Sequence, residues 1–224
     1  MHHIGIDARL PFSRTGGIST YIRRLVAALE QLDRENHYTV LHSRKAKQPI
    51  TQRFAPAYVW TPSHHRLERL ALGLEIARFK LDLLHSPDFI PPHWGAKRYV
   101  ITVHDLTFLH YPQYLTAEAR RYYNDQIEQA VRHADHILVD SEATRQDIMS
   151  MLGISKDKLT VHMLGVDAHF KPLTTEERAL WAKSLDLAPG YILFLGTFEP
   201  RKNISGLLTA YAQLLANRPT APPL

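Results

Sequence analysis

Short apolar runs alternate with amphipathic stretches along most of this chain, and that alternation leaves few folds open to it. Residues 2–7 read as a strand, followed by a turn-rich loop over 8–17. Ile18, Ile22, Leu25, Val26 and Leu29 then recur at helical spacing, which predicts a helix over 18–32. A strand over 38–42 follows. The stretch 44–62, broken by Pro49, Pro56 and Pro62, reads as irregular. Pro62-Ser63 reads as the cap of a helix over 63–80. Strands over 81–85 and 99–103 flank a loop containing Pro87, Pro91 and Pro92. A helix over about 116–133, capped by Thr116, leads to a strand at 136–140, a helix at 141–151 and a strand at 159–163. Strands that are continuously apolar, joined by helices, belong in a parallel sheet covered on both faces. The expected fold is α/β, a Rossmann-like doubly wound parallel sheet.

The pattern changes after Gly165. One helix candidate, 175–187, lies among Pro172, Pro189 and Gly190; a strand candidate, 191–195, and a helix over about 203–216 follow. One strand and one helix cannot cover a sheet. The expected organisation is therefore a first domain over 1–170, a linker over 171–190, and the first strand and helix of a second, truncated domain over 191–224. Residues 191–195 would belong in a buried strand, so the residues beyond about 188 are expected to be loosely held or to shelter against another molecule.

Charge narrows the partners. The chain has 27 Lys and Arg against 22 Asp and Glu; residues 1–100 carry 15 basic and 8 acidic groups, so the excess sits in the first half. Such a bias favours an anionic partner: a small phosphate ligand, acidic lipid or nucleic acid. No helix or sheet motif with interleaved aromatic and basic residues supports nucleic acid, and that partner is set aside. The longest apolar runs, four to five residues, fall well short of the ~18–20 needed to cross a bilayer. With no basic-then-apolar leader and no cysteine, a cytoplasmic address is expected. The absence of cysteine excludes disulfides and thiolate metal sites, and the histidines show no metal-ligand spacing, so no metal or cofactor is expected.

Four places could carry chemistry. Gly16-Gly17, between the first strand and its helix, lets backbone approach a ligand at a helix start that favours an anion, although such a pair can also simply make the turn. It is neither a dinucleotide fingerprint nor a phosphate loop. His104, ending an apolar strand with Asp105, could donate to a sugar hydroxyl or act as acid or base; a histidine satisfied by a backbone carbonyl is the plainer alternative. Arg201-Lys202, after Gly196, would suit a diphosphate, or would be a solvated surface pair. The helix over 63–80 sets Leu67, Leu70 and Leu74 beside Arg66, Arg69, Arg78 and Lys80. Such a helix either packs on the core or rests on an anionic membrane.

The phrases IGIDAR, TGGIS, ITVHDL, VDSEATRQDI, HMLGVDAHFKP and ILFLGTFEPRKNISGLL, in this order over roughly residues 3–215, resemble the retaining glycosyltransferases of family 4. The likeness is strongest to mannosyltransferase-type members of polysaccharide and glycolipid assembly. It implies a GT-B fold and metal-free transfer of a sugar, mannose among the candidates, from a GDP- or UDP-sugar to a glycan or lipid-linked acceptor. By the same resemblance, Gly16 and Gly17 match the glycine loop near the donor phosphates. His104 matches the histidine that contacts the donor sugar, and Arg201 and Lys202 match the basic pair at the diphosphate. Thr197 stands where many members carry an arginine. The family's two glutamates eight positions apart, downstream of the Lys-Asn segment, have no counterpart after Asn203. The 224 residues alone are therefore expected to show no turnover. Acceptor contacts fall at 44–62 and 105–115, where Phe108, His110, Tyr111 and Tyr114 offer rings and hydroxyls. Peripheral contact with the inner face of the membrane would run through 63–80. The alternatives are a non-catalytic acceptor- or membrane-binding module, or a non-transferring GT-B relative such as a sugar epimerase.

Overall fold

The computed structural model describes residues 1–186 and 190–224, the side chains of Glu118 and Arg121 apart. It divides into two compact units, Met1–Leu164 and Gly165–Leu224, so the first unit ends short of the expected boundary at 170.

The first unit holds seven strands: β1 (His3–Asp7), β2 (His37–Ser43), β3 (Ala55–Val59), β4 (Leu81–Ser86), β5 (Ala96–Val103), β6 (His136–Val139) and β7 (Leu159–Val161). Its helices are α1 (Leu10–Ser13), α2 (Gly17–Leu32), α3 (Glu68–Ile76), α4 (Thr107–His110), α5 (Ala117–His133) and α6 (Glu142–Leu152). Every strand pairing is parallel, in the order β3-β2-β1-β4-β5-β6-β7. The chain therefore winds outward from β1 in one direction and from β4 in the other. Ligand crevices in open α/β sheets lie where the strand order reverses, beyond the carboxyl ends of the strands.

Alternation along the strands assigns the helices to faces. Val40 packs with Ile6, Ile22 and Val26 under α2, while its neighbour Leu41 points the other way, to Leu72 and Ile76 of α3. On β5, Tyr99 joins the α3 cluster, and Ile101 and Val103, on the same face, pack on Ile127, Val131 and Ile148 of α5 and α6. So α2 covers one face and α3, α5 and α6 the other. The doubly wound α/β sheet is present as expected. Gly5 leaves no room for a side chain between β1 and β4: a Cβ there would lie 2.5 Å from Leu81 Cδ1.

The helix starts follow local chemistry. Thr116 caps α5 by accepting from Ala119 N (3.2 Å), and Ser141 caps α6 by accepting from Thr144 N (3.1 Å). Gly153, at φ +65°, closes α6.

Several expectations need correction. Residues 55–59, read as irregular, form β3; Pro56 is tolerated because this strand is the sheet edge, where a missing N–H breaks no second ladder. The helix expected over 63–80 begins only at Glu68 and gives way after Ile76 to a 3-10 turn. Pro62-Ser63 does not cap it: His64 takes φ +61°, and Glu68 turns back to accept from His65 N. The loop 105–115 carries the single helical turn α4.

The second unit contains α7 (Thr175–Ser184) and α8 (Ile204–Asn217). Thr174 and Glu177 close a reciprocal capping box on α7; residue 187, the expected end of this helix, lies outside the described residues. The strand expected at 191–195 is not formed. A strand needs a neighbour to take its N–H and C=O groups, and among the described residues Ile192 N finds only Pro223 O (2.7 Å). Leu195 and Phe198 are each 92% exposed.

Candidate functional site

The first polar residues after the strands meet at the carboxyl edge of the sheet. His104 follows β5 and Asp140 follows β6. Parallel pairing of Val103 with Val139 sets them side by side, although they are far apart in sequence. His104 Nδ1 lies 2.6 Å from Asp140 Oδ2, and Nε2 lies 3.0 Å from the carbonyl of Pro87, just beyond β4. Asp140 and the Pro87 carbonyl thus face the two ring nitrogens of His104, one on each side of the ring. The carbonyl of His104 in turn accepts from Thr144 Oγ1, in the first turn of α6 (3.1 Å).

Tyr21, one turn into α2, stands edge-on to the His104 ring with centroids 5.0 Å apart. Its hydroxyl reaches His162 Nε2 (3.1 Å), beyond the end of β7, and Thr102 Oγ1 (3.3 Å). Burial pushes the Tyr21 hydroxyl up from its ordinary range. Thr102 also meets His85 Nε2 at 2.9 Å. His85 is buried; burial first, then the neighbouring His162 and His104, push it down to about 3, so it stays neutral.

Gly16 and Gly17 lie one helical turn before Tyr21. Gly16 takes φ +155° as the residue before α2, and no atom lies within 4 Å of where a Cβ would stand on either glycine. Both glycines are exposed at the start of α2, one turn from the tyrosine that stands against His104. A helix start of this kind accommodates an anion.

A second polar cluster occupies the reversal between β1 and β4. Asp7 and Arg9 form a two-point pair (2.8 and 2.6 Å), and Arg9 also donates to the Thr61 carbonyl. Glu68 approaches Arg9 to 3.8 Å; burial pushes its carboxyl up to about 7, against the pull of Arg9. His64 meets Asp88 at 2.5 Å and stacks on Tyr122. The loop after β4 is thus held at adjacent residues by two histidines, Pro87 by His104 and Asp88 by His64.

The structure therefore brings Gly16, Gly17 and His104 to one edge. Arg201 and Lys202 belong to the second unit, in an exposed 3-10 turn before α8, where Arg201 Nε contacts Glu199 Oε2 at 2.7 Å. Of the proposed acceptor aromatics, Phe108 is committed to packing on Phe89 (5.6 Å), whereas Tyr111 and Tyr114 stay about half exposed. Sequence reasoning did not single out Asp140, His162, Tyr21 or His85 as site residues. Asp140 and His162 carry the same signal as His104, a polar residue closing an apolar strand.

This arrangement has relatives. The profile of Glycosyltransferase Family 4 matches residues 15–170, more than half of the chain. The chain belongs to glycosyltransferase family 4. The match spans the glycine pair, His104, Asp140 and His162. Over 138 residues the chain is 33% identical to the O-antigen chain mannosyltransferase B of Escherichia coli, covering 61% of this chain and 36% of that protein. Among solved structures, the Anabaena protein Alr3699/HepE, in complex with UDP and glucose, superimposes with a TM-score of 0.63 at 15% identity, over 95% of this chain and 58% of that one. A glycosyltransferase of Rickettsia africae gives 0.50 at 14% identity, over 85% and 51%. These two likenesses bear on the fold, and they agree with a Rossmann-like sheet of the GT-B kind. The chain spans about a third of the length of the curated relative and a little over half of the solved structures.

Proposed function

We propose that this family-4 chain supplies the acceptor-side half of a retaining sugar transfer, from a nucleotide-diphosphate donor to a glycan or lipid-linked acceptor. The observation that carries the reading is the convergence of an open helix start at Gly16-Gly17 with His104 on one sheet edge, in a chain matched by the family profile. In this reading Gly16 and Gly17 face the donor phosphates, and His104, oriented by Asp140, faces the donor sugar. Because the Pro87 carbonyl occupies Nε2, the ring reaches a sugar hydroxyl only when the loop after β4 gives way. Arg201 and Lys202, ahead of α8, are the diphosphate cations of a donor-side domain that starts within 191–224. The mannosyltransferase relative supports mannose as the sugar transferred, and the neighbour solved with UDP and glucose supports a nucleotide-diphosphate sugar, GDP- or UDP-linked, as donor.

A hollow of about 590 Å³ lined by Pro112, Gln113, Leu115 and Arg120 adjoins the exposed Tyr111 and Tyr114 in the chain and supports an acceptor role for the loop 105–115. No helix among the described residues is long and apolar enough to cross a membrane. In this reading, contact with a membrane-borne acceptor runs through 63–80, whose leucines and cations suit an anionic surface.

The test is transfer of labelled mannose or glucose from GDP-mannose and UDP-glucose. Residues 1–224 alone are expected to give none. A chimera in which the chain replaces the aligned part of the E. coli mannosyltransferase is expected to transfer, and to stop when His104→Ala is introduced. A folded chimera with no transfer, or one indifferent to His104→Ala, would favour a binding module instead.

A further inference from the structure

β4 ends at Ser86, and the two residues after it are each held by a histidine from another part of the chain. The Pro87 carbonyl lies 3.0 Å from His104 Nε2, and Asp88 Oδ2 lies 2.5 Å from His64 Nε2. The chain on either side of this dipeptide is fixed. Ser86 is buried as the last residue of β4. Beyond Asp88, Phe89 and Ile90 sit in the core, and their N–H groups turn back onto Asp88, to Oδ1 (3.1 Å) and to its carbonyl (2.8 Å). A shift of the Pro87 carbonyl therefore falls on residues 87 and 88, and it draws Asp88 with it.

His64 is the rigid side of the second contact. It takes φ +61°, a left-handed conformation that a residue with a side chain keeps only when its surroundings enforce it. Here Glu68 holds the next residue by accepting from His65 N (3.0 Å), Glu75 holds Thr61 N (2.8 Å), and the His64 ring stacks on Tyr122 with centroids 5.0 Å apart. The ring's other nitrogen, Nδ1, is buried and finds no hydrogen-bond partner among the described residues, so the polar contact of this ring is with Asp88. The His64 and Asp88 side chains are only 13% and 17% exposed, so water competes little for that contact.

We propose that His64 and Asp88 are positioning residues for His104: their contact keeps the Pro87 carbonyl over Nε2, and parting them uncovers that nitrogen. The proposal rests on the transferase reading only for what then binds there, a hydroxyl of the donor sugar. A ligand that takes Nε2 has to part the pair, so its apparent affinity is lowered by the small fraction of molecules in which the loop is open.

Diethyl pyrocarbonate, which modifies accessible imidazole nitrogens, tests this on residues 1–224 without any sugar, each histidine being read by peptide mass spectrometry. Asp88→Ala and His64→Asn, the latter chosen because asparagine tolerates positive φ, should each speed modification of His104 roughly fivefold or more. Asp88→Asn, which preserves the contact, should stay within about twofold of the unaltered chain. The buried His85 and the exposed His37 should keep their rates in every variant. A tie that only stabilises the unit would loosen it as a whole and raise His85 together with His104. That joint rise, an unchanged His104 in both Asp88→Ala and His64→Asn, or Asp88→Asn as reactive as Asp88→Ala would overturn the proposal.

The same labelling with UDP-glucose or GDP-mannose present bears on the transferase reading separately. Protection of His104 is expected at roughly fivefold lower sugar-nucleotide concentration in Asp88→Ala than in the unaltered chain. Protection of both at one concentration would overturn the proposal. No protection in any of the proteins would count against a donor sugar at His104 alone, because the rates without sugar decide whether His64 and Asp88 position it.

Discussion

Removing either member of the His104–Asp140 pair should destabilise the first unit by an amount that belongs mainly to the pair. The contact is 2.6 Å long, and the two side chains are only 17% and 15% exposed, so water screens it little. A hydrogen bond to a charged group under such conditions contributes about 1.5–3 kcal/mol net, and a buried partner left alone loses a similar amount. Asp140→Ala and His104→Ala should each cost roughly 2–3 kcal/mol. The double variant should cost less than their sum, leaving a coupling of about 2 kcal/mol. In a chain of this size that corresponds to a shift in thermal midpoint of about 4–12 °C for a single variant. Urea unfolding of the four proteins at one pH closes the cycle, and it removes the contribution of the His104 ring against Tyr21. Neither change disturbs the capping of α6, because Ser141 supplies that oxygen. A coupling below about 0.5 kcal/mol, the range of exposed ion pairs, would refute the claim that Asp140 fixes His104.

Two buried titrating groups give opposite pH signatures. His85 is held at about 3 against an ordinary value of 6.5, so the unfolded chain binds its proton first; stability should fall as pH drops from 6.5 toward 3, and His85→Gln should flatten that limb of urea midpoints against pH. Glu68 is held near 7 against 4.5, so the folded state keeps its proton longer; stability should fall as pH rises from 4.5 to 7, and Glu68→Gln should remove that loss. An unchanged midpoint difference between pH 5 and 8 in Glu68→Gln would contradict the second assignment. Gly5→Ala should cost about 1–3 kcal/mol by driving Leu81 out of its place, read as a lower urea midpoint at unchanged slope.

The sheet was legible because its strands are continuously apolar and its helices periodic, so both periods survive in one dimension. β3 was not, because Pro56 reads as a breaker and only its place at the edge makes it harmless. The start of α3 was misplaced because Pro62-Ser63 has the composition of a cap without its hydrogen bond. The residues 191–195 have the composition of a strand, but a strand is a property of two neighbours, and no neighbour is supplied among the described residues. At the site, His104 stood out because it ends an apolar run. Asp140 and His162 end theirs in the same way, yet only the order β4-β5-β6-β7 brings Pro87, His104, Asp140 and His162 together. The alternative of a histidine bonded to a backbone carbonyl is half of what His104 does; its other nitrogen is bonded to Asp140.

The account rests on the carboxyl edge of the sheet being the place where a nucleotide sugar meets this chain. A titration of the isotope-labelled protein with GDP-mannose and UDP-glucose, followed by NMR of backbone amides and histidine rings, examines that edge directly. The account predicts shifts concentrated at Gly16 and Gly17, at the His104 ring and in the loop after Ser86, and their loss on replacing Gly17 with a residue that closes the helix start. Shifts that leave Gly16, Gly17 and His104 silent while others move would contradict it.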